Sequence, residues 1–212
     1  MPVNINIPDA WTSYVTQTNL GLEVVPHVLY DSLQIQPGIV PGGGTPPNPT
    51  QFRFFQQTGV TLDISNMKVQ GMLANPEAML IQAIRLNWIL PMTTTMDQSL
   101  AIALFTNASV FTMKIGNKVY GPWPIFMLTS GSRLTGCNVG ITDCFLVQNE
   151  GPLYPLFPNL MLSPLQPFIV TIDLTPAMTG NQGAKSQPNF PTADGPVWLQ
   201  VMLDGQLARS IQ

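Results

Sequence analysis

Charged side chains are scarce in this sequence. They make up 9% of its 212 residues, against about 25% in ordinary soluble domains. A protein that stays monomeric in water depends on surface charge for its solubility. We therefore expect much of the surface to be covered by copies of the same chain or by other partners. The alternative is a secreted β-sandwich that stays soluble through its Asn, Gln and Thr side chains.

Clusters of basic residues are also missing. The formal net charge is −3, and the eight Lys and Arg residues are scattered along the chain. Tight contact with a phosphate backbone requires clustered Lys and Arg side chains that release counterions. The sequence therefore predicts no strong direct binding to nucleic acid.

Groups that carry out catalysis are equally few. His27 is the single histidine, and Asp31 lies four residues after it. The chain has no Gly-x-Ser-x-Gly nucleophile motif, and the PGGG stretch at 41–44 lacks the Lys that follows in a phosphate-binding loop. Paired carboxylates for sugar hydrolysis stay open as an alternative, although turn and cap positions explain most of the acids. We expect a protein that is not an enzyme, with no catalytic residues, no cofactor and no metal site.

The two cysteines, Cys137 and Cys144, bracket the stretch CNVGITDC. Together with one distant histidine, they do not supply the four ligands of a structural zinc site. They form either a short disulfide loop, if the protein matures outside the cell, or free thiols in or near the core of a cytoplasmic product. Free thiols are the preferred interpretation.

Long hydrophobic runs are absent. Residues 1–11 lack the positive region and the continuous apolar region of a secretory signal. The best candidate for a membrane span, 78–90, is interrupted by Gln82, Arg85 and Asn87 and falls short of about 18 unbroken apolar residues. We expect synthesis in a cytoplasm and no integral membrane segment.

Proline and glycine are abundant, with 21 and 17 copies, which leaves little room for long helices. Short runs rich in β-branched and aromatic residues predict roughly eight to ten strands and no helix. Pro26 predicts that the strand at 22–36 is bent or lies at a sheet edge. Further strands are predicted at 78–90, 99–106, 109–116, 168–176 and 197–210, with hairpin turns at Asn107-Ala108 and at Gly116-Asn117.

Irregular segments are predicted at 37–50, 151–167 and 179–196, which are rich in Pro, Gly or polar residues. The whole pattern predicts an all-β fold: an antiparallel two-sheet β-sandwich, a single jelly roll of about eight core strands with long Pro/Gly-rich loops. The chain is expected to be one domain over 1–212, with an extended N-terminal arm over about 1–20 and an irregular loop at 37–50.

Residues 52–89 carry a pattern that resembles the jelly-roll coat proteins of tailless icosahedral bacteriophages. In that family an aromatic strand leads to an Asp-x-x-Asn-Met motif, then to a Gly-x-Leu-x-x-Pro turn and a further apolar strand. The segment 162–174 is similar to the family's penultimate strand, and 197–212 to its terminal strand with an Asp-Gly-x-Leu-x-Arg end. The matching residues of the first pattern are Phe54, Phe55, Asp63, Asn66, Met67, Gly71, Leu73, Pro76 and Ile84.

The resemblance covers about half the chain. It implies a virion structural protein, the major capsid protein that self-assembles into an icosahedral shell after synthesis in the host cytoplasm. The implied partners are copies of itself in trimers or pseudo-hexameric capsomers, other virion proteins and, in some members, an internal membrane. Two alternatives remain: a minor or vertex capsid protein, and a receptor- or carbohydrate-binding module that uses Trp11, Trp123 or Trp198. The strand-like surroundings of Trp123 and Trp198 favour positions in the core.

Overall fold

The computed structural model describes residues 9–17, 21–35, 51–57, 61–89, 102, 105–107, 109–128, 132–137, 144–148, 154–174 and 197–211. Within these ranges the chain is mostly β. Its strands are β1 (Leu22–Ile35), β2 (Gln51–Phe54), β3 (Ala78–Ile89), β4 (Ser109–Ile115), β5 (Lys118–Pro124), β6 (Ser132–Cys137), β7 (Cys144–Gln148), β8 (Tyr154–Leu162), β9 (Phe168–Leu174) and β10 (Val197–Ser210). Its named helices are α1 (Asp9–Gln17) and α2 (Ile125–Leu128).

Two four-stranded antiparallel sheets hold most of these strands. Sheet I has the order β1-β10-β3-β8, and sheet II has the order β2-β9-β4-β5. Strands β6 and β7 pair only with each other and form a separate hairpin. The strand order interleaves early and late parts of the chain, because β10 lies between β1 and β3, and β9 lies between β2 and β4.

One hydrophobic core lies between the two sheets, since a single cluster of buried side chains draws on both. Alternate residues of each strand face it, as the period of two in a strand requires. In sheet II these include Phe111 and Met113 of β4, and the ring of Phe55, just after β2, lies 5.3 Å from that of Phe168. The core residues of β10 in sheet I are Val197, Leu199, Val201, Leu203 and Leu207.

The alternation of core-facing and outward-facing side chains in strand β3 changes partway along the strand. Its pairing with β10 shifts between Gly205, opposite Ile81, and Asp204, opposite Ala83, so Gln82 is an extra residue. This β-bulge exchanges the two faces of the strand. Met79 and Ile81 before it, and Ile84, Leu86 and Trp88 after it, therefore all reach the core. The bulge explains why the sequence of 78–90 alternates only in part.

Helix α1 corrects part of the expectation of an extended arm over about 1–20, because residues 9–17 are helical. Trp11 is 4% exposed and packs with Ala78, Leu80 and Ala208 of sheet I. Tyr14 and Val15 join the same cluster, at the three- and four-residue spacing that puts side chains on one helix face. The helix is stabilised because its apolar face packs against these apolar residues of sheet I.

Three other predictions can be compared with the described residues. The strand predicted at 99–106 and its turn at Asn107-Ala108 are wrong where this part of the chain is described, because residues 102 and 105–107 are helical. The irregular segment at 151–167 is also wrong in part, because residues 154–162 form β8. Pro155 and Pro158 are tolerated there because β8 is an edge strand, where a missing N–H group costs no ladder hydrogen bond.

The edge position of β1 and the hairpin at Gly116-Asn117 are confirmed. Gly116 has a φ of +56°, which suits the primed turn. The predicted strands at 168–176 and 197–210 correspond to β9 and β10. The predicted loops at 37–50 and 179–196 lie outside the described residues.

Candidate functional site

His27, the single histidine, lies on β1 and is half-buried. Burial lowers its pKa, Glu77 opposes that change, and the positive charges of Arg209 and Lys68 add to it. Asp31 is four residues along the same strand, which corresponds to roughly 13 Å of extended chain. The two side chains are therefore too far apart to share a proton as an acid–base pair.

Asp31 is instead part of a buried junction between β1, the end of β2 and the segment after it. Its side chain is 0% exposed, and its Oδ2 accepts a hydrogen bond from the backbone N–H of Phe55. Burial raises the pKa of this carboxyl group, while hydrogen bonds from Phe55, Ser65 and Ser32 work in the opposite direction. Its Oδ1 has no hydrogen-bond partner among the described residues. The sequence offered no signal for this junction beyond one acid in an apolar strand.

Most other acids of the described part pair with basic or amide groups. Arg85 Nε and Nη2 donate to the two oxygens of Asp204 at 2.8 and 2.6 Å. Further contacts join Glu77 to Lys68, Glu23 to Arg209 at 2.6 Å, and Asp173 to Gln51 at 2.8 Å. Across the described ranges no three His, Cys, Asp or Glu side chains form a group that could hold a metal ion.

Asn66, from the Asp-x-x-Asn-Met motif, continues sheet I beyond its edge. Its Nδ2 donates to the carbonyl of Val28 at 2.7 Å, and its Oδ1 accepts from the N–H of Tyr30 at 2.9 Å. The backbone N–H of Asn66 also donates to the carbonyl of Tyr30 at 3.3 Å. The Asn66 side chain thus takes the place of a neighbouring strand. It satisfies backbone N–H and C=O groups at the edge of β1 that would otherwise be open to pairing with another chain.

Gly71, from the Gly-x-Leu-x-x-Pro turn, joins the same segment to sheet II. It donates to the carbonyl of Phe55 at 2.8 Å and accepts from the N–H of Phe168 at 2.7 Å. Its φ is +62°, and an added Cβ would lie 2.9 Å from Gln56 Nε2 and 3.2 Å from the carbonyl oxygen of Phe168. Glycine is required here by both the backbone conformation and the close approach.

An open pocket of about 370 Å³ lies beside Gly71. Its single charged lining residue is Lys114, and it contains no acid, His, Ser or Cys. Such a lining suits the packing of an apolar or amide-bearing segment. The lining residues are Gln56, Gln70, Gly71, Met72, Lys114, Gly116, Pro167, Phe168 and Ile169.

Large apolar side chains are exposed close to this pocket. Val119 is 62% exposed and pairs with Lys114, and Leu165 is 58% exposed, two residues before the lining residue Pro167. We call Val119, Leu165 and the neighbouring pocket the apolar end surface. Elsewhere, Phe126 and Met127 of α2 are 55% and 48% exposed.

The tryptophans considered for sugar stacking have different environments. Trp11 lies on α1 and is buried against sheet I. Trp123 is half-buried, with its ring centroid 5.9 Å from that of Phe111 and 6.5 Å from that of Tyr154. Trp198 is half-buried on the face of β10 opposite the core residues Val197 and Leu199.

No helix within the described ranges is long and apolar enough to cross a membrane. Comparison of the chain with protein-family models, with curated proteins and with solved structures found no match in any of the three.

Proposed function

We propose that the protein is a virion structural protein: the major capsid subunit that self-assembles into the icosahedral shell of a tailless bacteriophage. It is made in the host cytoplasm and resides in the virion. Its partners are copies of itself, in trimers or pseudo-hexameric capsomers, and other virion proteins. The alternative within the same class is a minor capsid protein at a vertex.

The strand order is the main support for this function. Strand β1 pairs with β10, β2 with β9, β3 with β8 and β4 with β5. These pairs are nested, so the eight strands are equivalent to one long antiparallel hairpin that has been rolled into two sheets. That arrangement is the one expected of a single jelly roll, a fold in which viral capsid domains are common, and it therefore supports the proposal. The β6–β7 hairpin is an insertion between β5 and β8 in this description.

The motif residues support the family resemblance through their structural roles. Phe54 and Phe55 are fully buried, and Met67 and Leu73 are 8% and 4% exposed. Together with Asn66, described above, they hold the segment between β2 and β3 against both sheets. Such roles explain a sequence motif that contains no catalytic group.

Surface composition supports assembly. Only 9% of the residues are charged, and large apolar side chains are exposed at the apolar end surface. Interfaces between permanent partners are apolar at their centres and poor in charge. A closed symmetric shell repeats one contact many times, so each contact can be modest in area. We assign the apolar end surface to one such contact.

The test is assembly of the purified protein, followed by sedimentation velocity and negative-stain microscopy at micromolar concentration. The expected result is oligomers, and closed shells or regular tiles as the concentration rises. A compact monomer at every concentration, with no regular assemblies in the parent particle or in the purified sample, would overturn the proposal.

Variants test whether the apolar end surface makes the contact, separately from whether the protein assembles at all. The double variant Val119→Ser, Leu165→Ser should weaken association on the order of tenfold or more, since residues at the centre of an interface dominate its affinity. The matched control is Leu62→Ser, because Leu62 is 75% exposed but does not line the pocket, and its carbonyl accepts a hydrogen bond from Tyr30 of sheet I. If both variants assemble like the wild type, another surface makes the contact and the assignment of the apolar end surface is wrong.

A carbohydrate-binding module is the second candidate, and half-exposed Trp198 is the observation that favours it. A glycan array separates the two functions. Binding to a sugar that is lost on Trp198→Phe, by a protein that never assembles, would favour the binding module. An empty array together with assembly would favour the capsid subunit, and lipid analysis of the particle would then decide whether a membrane lies beneath the shell.

A further inference from the structure

The β6–β7 hairpin contains both cysteines of the chain. It stands outside the two four-stranded sheets and pairs in an antiparallel manner, with Ser132 opposite Gln148 and Leu134 opposite Leu146. Cys137 ends β6 and Cys144 begins β7, and the two are direct partners across the hairpin.

A β-bulge creates this alignment. The register shifts between Leu134 and Cys137, so that Thr135 and Gly136 on β6 oppose the single residue Phe145 on β7. Without the extra residue, Cys144 would oppose Gly136, and the two cysteines would belong to opposite faces of the hairpin. The irregularity therefore places the pair where a regular hairpin of this sequence would separate them.

Direct antiparallel partners have Cα atoms about 4.5 or 5.5 Å apart, depending on whether the pair is hydrogen-bonded. Disulfide-linked residues have Cα atoms roughly 4.4–6.8 Å apart. Either kind of pair falls within that range, so the paired register satisfies the Cα spacing that a disulfide requires.

We propose that Cys137 and Cys144 form an intramolecular disulfide when the protein meets a disulfide oxidant such as oxidised glutathione. The six residues between them, 138–143, become the loop of a closed ring. The pair stays reduced in a glutathione-rich cytoplasm and oxidises after the protein leaves it. This modification does not depend on the function proposed above.

The chemistry is thiol–disulfide exchange in two steps. One cysteine thiolate attacks a sulfur of oxidised glutathione, which forms a mixed disulfide and releases one glutathione thiolate. The second cysteine thiolate then attacks the protein sulfur of that mixed disulfide, forms the Cys137–Cys144 bond and releases the second glutathione. The protein loses two electrons and two protons, and one oxidised glutathione becomes two reduced ones.

The test is mass spectrometry of the full chain after incubation with oxidised glutathione and alkylation of the remaining thiols. The expected product has no alkylated cysteine and is about 2 Da lighter than the reduced chain. Cleavage before Asp143, which lies between the two cysteines, should then give fragments that stay joined until a reductant is added. Two cysteines that each keep a glutathione, or a covalent dimer on a non-reducing gel, would overturn the proposal.

A shifted cysteine provides the control for the register. The variant Cys137→Ser, Gly136→Cys keeps two thiols at nearly the same separation in sequence but moves one off the direct pair. Its ring should close on the order of tenfold more slowly than in the wild type, because closure depends on orientation. Equal rates would mean that loop flexibility, and not the paired register, brings the thiols together. The single variant Cys144→Ser checks that loss of the bond leaves the circular dichroism spectrum unchanged.

Discussion

Gly205 provides the sharpest test of the strand arrangement. It lies on β10 at the bulge with β3 and, unlike Gly71, it has no positive φ. A Cβ added at this position would lie 1.8 Å from the carbonyl oxygen of Leu80 and 2.8 Å from its carbonyl carbon. The substitution Gly205→Ala therefore adds one methyl group in a space already occupied by the backbone of the neighbouring strand.

The magnitude follows from the distance. Real Cβ contacts are essentially never shorter than 3.0 Å, so the Leu80 carbonyl would have to lie about 1.2 Å farther away. A ladder hydrogen bond of about 2.9 Å does not survive that displacement. Each one lost in a buried sheet costs roughly 1–3 kcal/mol because its groups stay unsatisfied. If two bonds are lost at about 1.5–2.5 kcal/mol each, the middle of that range, the loss is about 3–5 kcal/mol. This is a large part of the roughly 5–15 kcal/mol of a folded domain.

The assay is urea unfolding followed by tryptophan fluorescence, in dilute protein. With a slope of about 2 kcal/mol per molar urea, the midpoint of Gly205→Ala should fall by roughly 1.5–2.5 M. The control is Gln206→Ala, the next residue of β10, which removes atoms and adds none; it should change the midpoint by less than about 0.5 M. A change of similar size for both variants would refute the reasoning.

The methyl group added by Gly205→Ala would clash with backbone atoms of β3 and not with a side chain. This difference allows a second test of the strand arrangement. Trimming the neighbouring side chain by Leu80→Ala removes no atom that the new methyl group would meet. The double variant should therefore be no more stable than Gly205→Ala alone. If Leu80→Ala restored stability, β3 and β10 would not approach each other in the way described.

Three further predictions concern the junction between the sheets, each measured by urea unfolding. Asn66→Ala should cost about 1–3 kcal/mol, because two edge groups of β1 lose their partners, and Asn66→Asp, which keeps the acceptor but loses the donor, should cost less. Gly71→Ala should be more destabilising than Gly21→Ala, since both have positive φ but the nearest atom to an added Cβ at Gly21 is 4.0 Å away; equal losses would contradict the close contact at Gly71. Burial raises the pKa of Asp31 above its ordinary value of 3.8, so the folded chain keeps its proton to a higher pH than the unfolded chain does. This group's contribution to stability therefore falls as the pH rises from the unfolded pKa through the folded pKa. Asp31→Asn keeps an acceptor for the Phe55 N–H and should gain stability relative to the wild type as the pH rises from about 4 to 8; parallel pH profiles would refute this.

Sequence patterns over a few residues predicted those parts of the fold that depend on interactions between neighbours in the sequence. Alternation in β9 and β10 and the Gly116-Asn117 turn could be read directly, because each depends on neighbouring residues. Pro26 correctly marked an edge strand. The irregular segment predicted at 151–167 from its proline content is wrong for β8, because an edge strand tolerates Pro155 and Pro158.

Long-range contacts could not be read in this way. Helix α1 forms against a patch of sheet I that includes Ala78 and Ala208, far along the chain. The pairing of β1 with β10 and the bulge opposite Gly205 likewise depend on residues distant in sequence. In the candidate site, the Asn66 motif was visible, but its role as a substitute strand required its contacts with Val28 and Tyr30.

The nested pairing of the strands has a consequence for synthesis. Leu22 pairs with Ser210, and β10 is an interior strand of sheet I, between β1 and β3. While β10 is still inside the ribosome, β1 and β3 have emerged without the neighbour that belongs between them. Their unpaired backbone edges and apolar faces are then exposed to solvent. Proteins dominated by pairings between distant parts of the sequence fold slowly and populate aggregation-prone intermediates. Chaperone occupancy on the nascent chain should therefore persist until translation has passed β10, and heterologous expression should improve at low temperature and with slow induction.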